Sequence, residues 1–145
     1  NKDEFEYLLK QGYKSFPHYS ITSEKREEFI LKPRHNESLN HMFVVYDIAE
    51  FLEKKGIEVE KYTTKMPDLV FEINKKKFAI EVETGTVMTK MKNFLEKVDQ
   101  LNRDYKTNWL FAVTNRNLIK KYSKYGKTVD PRYIKFNLNK IIRKS

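Results

Sequence analysis

The sequence predicts an α/β fold, a mixed central sheet flanked by helices, and three observations carry that expectation. Leu39, Phe43, Tyr46, Ala49 and Leu52 recur at three- and four-residue spacing, the stripe of one long amphipathic helix. Two alternating segments, Asp68–Ile73 and Phe78–Glu83, flank the polar run Asn74-Lys75-Lys76-Lys77, as a hairpin requires. A strand, a helix and another strand then follow between 78 and 114, an order that calls for a right-handed parallel crossover.

The elements follow in order along the chain. Asp3–Lys10 reads as a short helix stopped at Gly12. Residues 13–35 are mixed, with Pro17 and Pro33 as breakers and a strand expected at Phe29–Leu31. Asn36 or Ser38 is placed to cap the long helix, and Gly56 suits its left-handed stop. Ile57–Tyr62 reads as a short strand that joins the hairpin in a meander. Met88, Met91, Leu95, Val98, Leu101 and Tyr105 define a second amphipathic helix, and the apolar run Trp109–Thr114 a buried interior strand. A helix over Asn117–Lys124 is expected to stop near Gly126. After Asp130-Pro131 the segment Tyr133–Leu138 reads as a last strand before a basic tail. Residues 1–35 are therefore expected to form an N-terminal extension packing on the core, and 36–145 a single domain.

Composition narrows the chemistry. The chain has no Cys and three His, which excludes disulfides and thiolate zinc sites and leaves carboxylates to hold any metal. The same lack of Cys fits a reducing, cytoplasmic setting. Twenty-nine Lys and Arg against twenty Asp and Glu give a net charge of +9, which favours a polyanionic partner. No apolar run approaches the roughly 18 residues of a membrane span. The first residue is Asn, so the chain is expected to be a piece of a longer protein, with fusion to other domains in view.

The informative stretch runs from Met66-Pro67-Asp68 to Glu81-Val82-Glu83-Thr84-Gly85. Side chains alternate along a strand, so Phe78, Ile80 and Val82 face one way and Ala79, Glu81 and Glu83 the other. With the turn centred on residues 75 and 76, Asp68 is expected opposite Glu83, with Glu81 diagonal to it. Like charges facing across a strand pair are destabilising, and a divalent cation would resolve the conflict.

Pro67-Asp68 followed by Glu81-Val82-Glu83 resembles the PD-(D/E)xK nuclease signature, with Glu83 where lysine is usual. The inferred order also resembles that superfamily's restriction-endonuclease-like αβββαβ core over roughly residues 36–114. Glu81-Val82-Glu83-Thr84-Gly85-Thr86 is further similar to the nuclease-like part of plasmid replication–relaxation proteins. The resemblance implies Mg²⁺ or Mn²⁺ held by Asp68, Glu81 and the Val82 carbonyl, with Glu37 as a further ligand. It implies Glu83 as base or second-ion ligand, and Lys90 or Lys97 in the role of the missing lysine. His41, one helical turn beyond Glu37, is expected to face either the sheet or the cleft. Lys65, Lys75, Lys76, Arg116, Lys120, Lys121 and Lys124 are candidate phosphate contacts, with Tyr122, Tyr125 and Tyr133 interleaved for stacking. The implied activity is metal-dependent DNA hydrolysis, RNA not being excluded, by an enzyme that often works as a homodimer in this family. The alternative is an inactive or weak nuclease-fold DNA-binding module of a plasmid or mobile-element protein.

Overall fold

The computed structural model describes residues 1–33, 38–62 and 67–144, and Asn36, the alternative cap, lies outside them. Asn1 opens the first helix, α1 (Lys2–Lys10), by accepting the Glu4 N–H in a capping box. Strands β1 (Lys14–Ser20) and β2 (Lys25–Leu31) then pair antiparallel, with Phe16 facing Phe29. The strand expected at 29–31 is thus longer and belongs to a hairpin. Pro17 is tolerated there because an edge strand can spare its N–H. The second helix, α2 (Leu39–Lys54), starts at Ser38, whose hydroxyl accepts the His41 N–H at 3.1 Å. Phe43 on α2 receives the Phe16, His18 and Phe29 rings, which seats the hairpin on the helix.

The main sheet is built next. Strands β3 (Val59–Lys61), β4 (Leu69–Ile73) and β5 (Lys76–Glu83) form the antiparallel meander. A 3-10 turn at Thr86–Thr89 leads into α3 (Met91–Tyr105), and β6 (Trp109–Val113) returns parallel to β5. After a 3-10 turn at Arg116–Leu118 come α4 (Ile119–Ser123), β7 (Thr128–Val129) and α5 (Ile134–Lys144). The order β3-β4-β5-β6-β7, antiparallel on one side and parallel on the other, makes the sheet mixed. One face carries α2 and α5 over Leu69, Phe71, Ile80, Val82 and Leu110. The other packs Phe94, Val98 and Leu101 of α3 and Tyr122 of α4 against Ala79, Phe111 and Val113. Among the described residues no helix is long and apolar enough to cross a membrane.

Two expectations are corrected. Phe94, fully buried among Phe111, Tyr122 and Tyr125, is the centre of the α3 stripe, whereas Leu95 is 43% exposed and Met91 42%. The face 94–98–101–105 satisfies the helical period, and the larger ring takes the interior position. The Met88 side chain lies outside the described residues. Tyr133–Leu138 is not a strand but the start of α5, because Ile134, Leu138 and Ile141 recur at helical spacing and find the sheet together. The closing strand is instead the two-residue β7, too short to leave a period in the sequence.

Asp47 joins the hairpin to α2. It is buried, and both carboxylate oxygens lie 3.2 Å from the Ile21 N–H. Burial, with Glu50 and Glu27 nearby, pushes its pKa up to about 6 against the pull of the Ile21 hydrogen bond. Because the folded value exceeds the unfolded one, stability from this group is complete in acid and falls as pH rises to about 6. Asp47→Asn keeps an acceptor for Ile21 without the charge. It is expected to gain on the order of 1–2 kcal/mol over the parent at pH 7.5, water screening at its exposed edge included, and nothing at pH 4. Urea midpoints at the two pH values check this, and an equal change at both would refute it.

Candidate active site

The site grows from the alternation of β5. Phe78, Ile80 and Val82 enter the core under α2, so Glu81 and Glu83 point into the opposite face beneath α3 and α4. Both glutamates are 4% exposed. The hairpin turns on Asn74 and Lys75, with φ of 51° and 68°, both in the left-handed region that a two-residue type I′ turn needs. The pairing Leu69↔Ile80 follows from that turn, and one step further sets Asp68 across from Glu81. This corrects the expected partner, Glu83. A turn centred one position earlier moves every facing residue by two.

Asp68 Oδ2 accepts the Val82 N–H at 2.8 Å and lies 3.2 Å from His41 Nε2, so His41 faces the acids from α2. Residues 79 and 83 of β5 bond toward β6. The N–H and C=O of a strand residue leave on the same side, so the Val82 carbonyl turns the other way, to where β4 has not yet begun. Lys97, three residues after Phe94 and one before Val98, brings its ammonium down the edge of the α3 stripe. Its Nζ lies 3.4 Å from Glu81 Oε1 and 3.1 Å from Glu83 Oε1. The Tyr122 hydroxyl stands 3.4 Å from Glu83 Oε2. Glu81 Oε2 is buried and accepts no hydrogen bond from the described residues.

The electrostatics follow from this crowding. Burial, then the charge of Asp68, raises Glu81 well above the usual carboxylate range, against the pull of Lys97. Protonated, Glu81 becomes a hydrogen-bond donor to Asp68. Burial also acts to raise Asp68, but the His41 and Glu81 hydrogen bonds and the Val82 N–H outweigh it and hold Asp68 low. Burial raises Glu83 too, although Lys97 opposes it. Lys97 is itself raised, because the two glutamates outweigh its desolvation, so it stays an ammonium. Tyr122 is raised by burial and by Glu83, so its hydroxyl keeps its proton as a donor. The cluster is an acid–acid pair, a third acid and a lysine within one buried corner.

The expected residues divide accordingly. Asp68, Glu81, Glu83, Val82 and Lys97 are brought together, and His41 joins them. Lys90 is the exposed residue just before α3, and among the described residues it forms no ion pair with the acids, whereas Lys97 does. Glu37 and Lys65 lie outside the described residues. Lys75 and Lys76 sit at the other end of β5, roughly 20 Å of strand away from Glu83. Arg116, Lys120, Lys121 and Lys124 are all exposed, on the segment after β6 that also carries the buried Tyr122. Of the three tyrosines expected to stack, Tyr122 is fully buried and Tyr125 half-buried against Phe94, and Tyr133 alone is open, at 54%. Burial assigns Tyr122 to the core instead, with its hydroxyl on Glu83. Sequence gave no sign of that contact, since the partners are 39 residues apart.

Among the described residues no three acidic or histidine side chains converge as a ready-made metal cage. Asp68 and Glu81 still offer hard oxygen donors at facing positions, and among the described residues no N–H or ammonium reaches the buried Glu81 Oε2. Mg²⁺ takes one or two carboxylates and keeps its waters, so this donor set fits a hard divalent cation. Comparison of the chain with protein-family models, with curated proteins and with solved structures finds no match.

Proposed function

We propose that the protein is a metal-dependent nuclease that hydrolyses DNA phosphodiester bonds at the corner formed by Asp68, Glu81, Glu83 and Lys97. The observation that carries this reading is the Lys97 ammonium, 3.1 Å from Glu83 and 3.4 Å from Glu81 at the C-terminal end of β5. It restores from a helix the cation that the strand lacks at position 83. The element order α2-β3-β4-β5-α3-β6 supports a restriction-endonuclease-like core, as does the resemblance of the Pro67-Asp68…Glu81-Val82-Glu83 segment to the PD-(D/E)xK signature.

Asp68 and Glu81, with the Val82 carbonyl, would hold Mg²⁺ or Mn²⁺, which when bound lowers the pKa of water and offsets charge on the phosphate. The chain's own groups supply the rest. Glu83, raised by burial, is the better proton acceptor for it and takes the proton of the attacking water. The water oxygen bonds to phosphorus, the bond to the leaving sugar oxygen breaks, and solvent protonates that oxygen. Lys97 stays charged beside Glu83 and stabilises the negative charge that builds on the phosphate oxygens. Tyr122 and His41 position Glu83 and Asp68.

A second reading, a nuclease-fold DNA-binding module without turnover, draws on the same lysine, which already balances the glutamates without any metal. Supercoiled, linear and single-stranded DNA incubated with Mn²⁺ and either the parent chain or Asp68→Ala separates the two. Cutting by the parent that Asp68→Ala lacks is the expected result. Salt-sensitive binding with no cutting by either protein favours the module, and no salt-dependent affinity for DNA or RNA defeats both.

A further inference from the structure

We propose that the outer face of α5 is a binding strip for single-stranded nucleic acid, which stacks unpaired bases on Tyr133 and Phe136 and follows the backbone with Lys140, Arg143 and Lys144. It rests on the reading of the protein as acting on nucleic acid and deepens it by naming the strand form engaged.

The helix has two sharply different faces. Ile134 and Leu138 are buried on the sheet, with Ile141 and Ile142 packed beside them. On the other side Tyr133, Phe136, Lys140 and Arg143 recur at three- and four-residue spacing, one stripe about 15 Å long. Tyr133 belongs to this register because its carbonyl accepts the Asn137 N–H at 3.0 Å. Phe136 is 59% exposed and Tyr133 54%, the two largest aromatic exposures in the second half of the described chain. A cation lies over each ring: the Arg132 guanidinium 5.3 Å from the centre of Tyr133 and the Lys140 ammonium 5.8 Å from that of Phe136. Residues 131–145 contain five Lys and Arg and no Asp or Glu. Two of those cations are held in ion pairs, Arg132 with Asp130 and Lys135 with Glu24, while Lys140, Arg143 and Lys144 are exposed and none is paired with an acid among the described residues.

That composition selects the occupant. Rings flanked by cations, with no acid on the face, match a ligand that alternates π faces with phosphates. A duplex hides its base faces inside the stack, so the faces of exposed rings find nothing to stack on there. A membrane surface would need the apolar side of α5, and the sheet already occupies that side. The strip begins at the end of the sheet that carries the acids, on the opposite face. Strands β5, β6 and β7 are parallel, so the chain leaves β7 and enters Arg132 and Tyr133 at the end of the sheet where β5 delivers Glu83.

The test is equilibrium binding in EDTA, followed by fluorescence anisotropy, of the whole chain to a labelled oligothymidylate longer than ~16 nucleotides and to a duplex of equal length. Phe136→Ala and Tyr133→Ala are each expected to weaken the single strand about tenfold and leave the duplex unchanged. Phe136→Tyr, which keeps the ring, should bind as the parent does. The pair Lys140→Gln with Arg143→Gln should lower the slope of log affinity against log salt by roughly 1.4. Thermal melting checks that these surface variants fold. Full affinity in Phe136→Ala, or equal losses on single strand and duplex, overturns the strip while sparing the nuclease reading. A parent chain that binds neither oligonucleotide defeats both.

Discussion

Lys97→Met is expected to destabilise the protein by about 3 kcal/mol near pH 8, and by less as the pH falls. Methionine keeps the apolar stem of the side chain along the edge of the α3 stripe and removes only the ammonium. Glu81 and Glu83, each 4% exposed, are then left without the cation that lies within 3.4 Å of both. Breaking a buried ion pair from one side costs roughly 3–5 kcal/mol, and the lower end applies because the lysine keeps 21% of its side-chain exposure. The pH dependence has a definite sign. Lys97 now pulls both glutamates down against burial, so its loss raises them further. A group whose folded pKa lies above its unfolded value contributes in acid, and the contribution is lost as pH rises through the folded value. The penalty is therefore small where the glutamates are protonated and grows toward alkaline pH. Urea midpoints at pH 5 and pH 8 measure it. An identical loss at both would mean that the lysine acts through packing, and the electrostatic account would fail. In the nuclease assay the same variant should also lose on the order of 10²–10³ in rate, the usual effect of removing a preorganised positive group.

How much of this was legible in the sequence depends on how local each determinant is. The alternation Phe78-Ala79-Ile80-Glu81-Val82-Glu83 fixed which face carries the acids, because an apolar set with period two has one way to enter a core. The meander and the parallel return of β6 followed from segment order. The register did not, since it hangs on whether two or four residues make the turn, and the left-handed geometry of Asn74 and Lys75 decided it. The α3 stripe was misplaced by one residue, Leu95 for Phe94, because both fit the period and ring packing across the sheet chose between them. Tyr133–Leu138 is short enough to satisfy strand and helix alike, and contact of Ile134 and Leu138 with the sheet settled it. Lys97 was one of two lysines seven residues apart, and only its contacts with Glu81 and Glu83 single it out from the exposed Lys90. The contacts of Tyr122 with Glu83 and of His41 with Asp68 join distant elements and leave no local pattern.

Mn²⁺ is expected to raise the thermal midpoint more at pH 8 than at pH 6, and this difference should disappear in Glu81→Gln. Glu81 binds its proton at a pH where an ordinary glutamate has lost it, because burial and Asp68 oppose its charge. A cation held by Asp68 and Glu81 must displace that proton, so affinity rises with pH until the proton is gone. At a hundredfold excess over its dissociation constant the ion adds about 2.7 kcal/mol, a shift of roughly 10 °C for a chain of this size. Glutamine cannot carry the competing proton and offers one neutral oxygen, so its response to Mn²⁺ should be small and flat with pH. Asp68→Asn should also weaken the response, by removing the charge that both raises Glu81 and attracts the ion. Asp47 titrates over part of the same range, but it lies beside Ile21 and affects the samples with and without metal alike. The comparison therefore isolates the Asp68–Glu81 pair. A pH-independent shift of equal size in parent and variants would put the ion elsewhere on the protein. The pair would then be a proton-sharing device that Lys97 and His41 stabilise, and the hydrolytic reading would lose its metal.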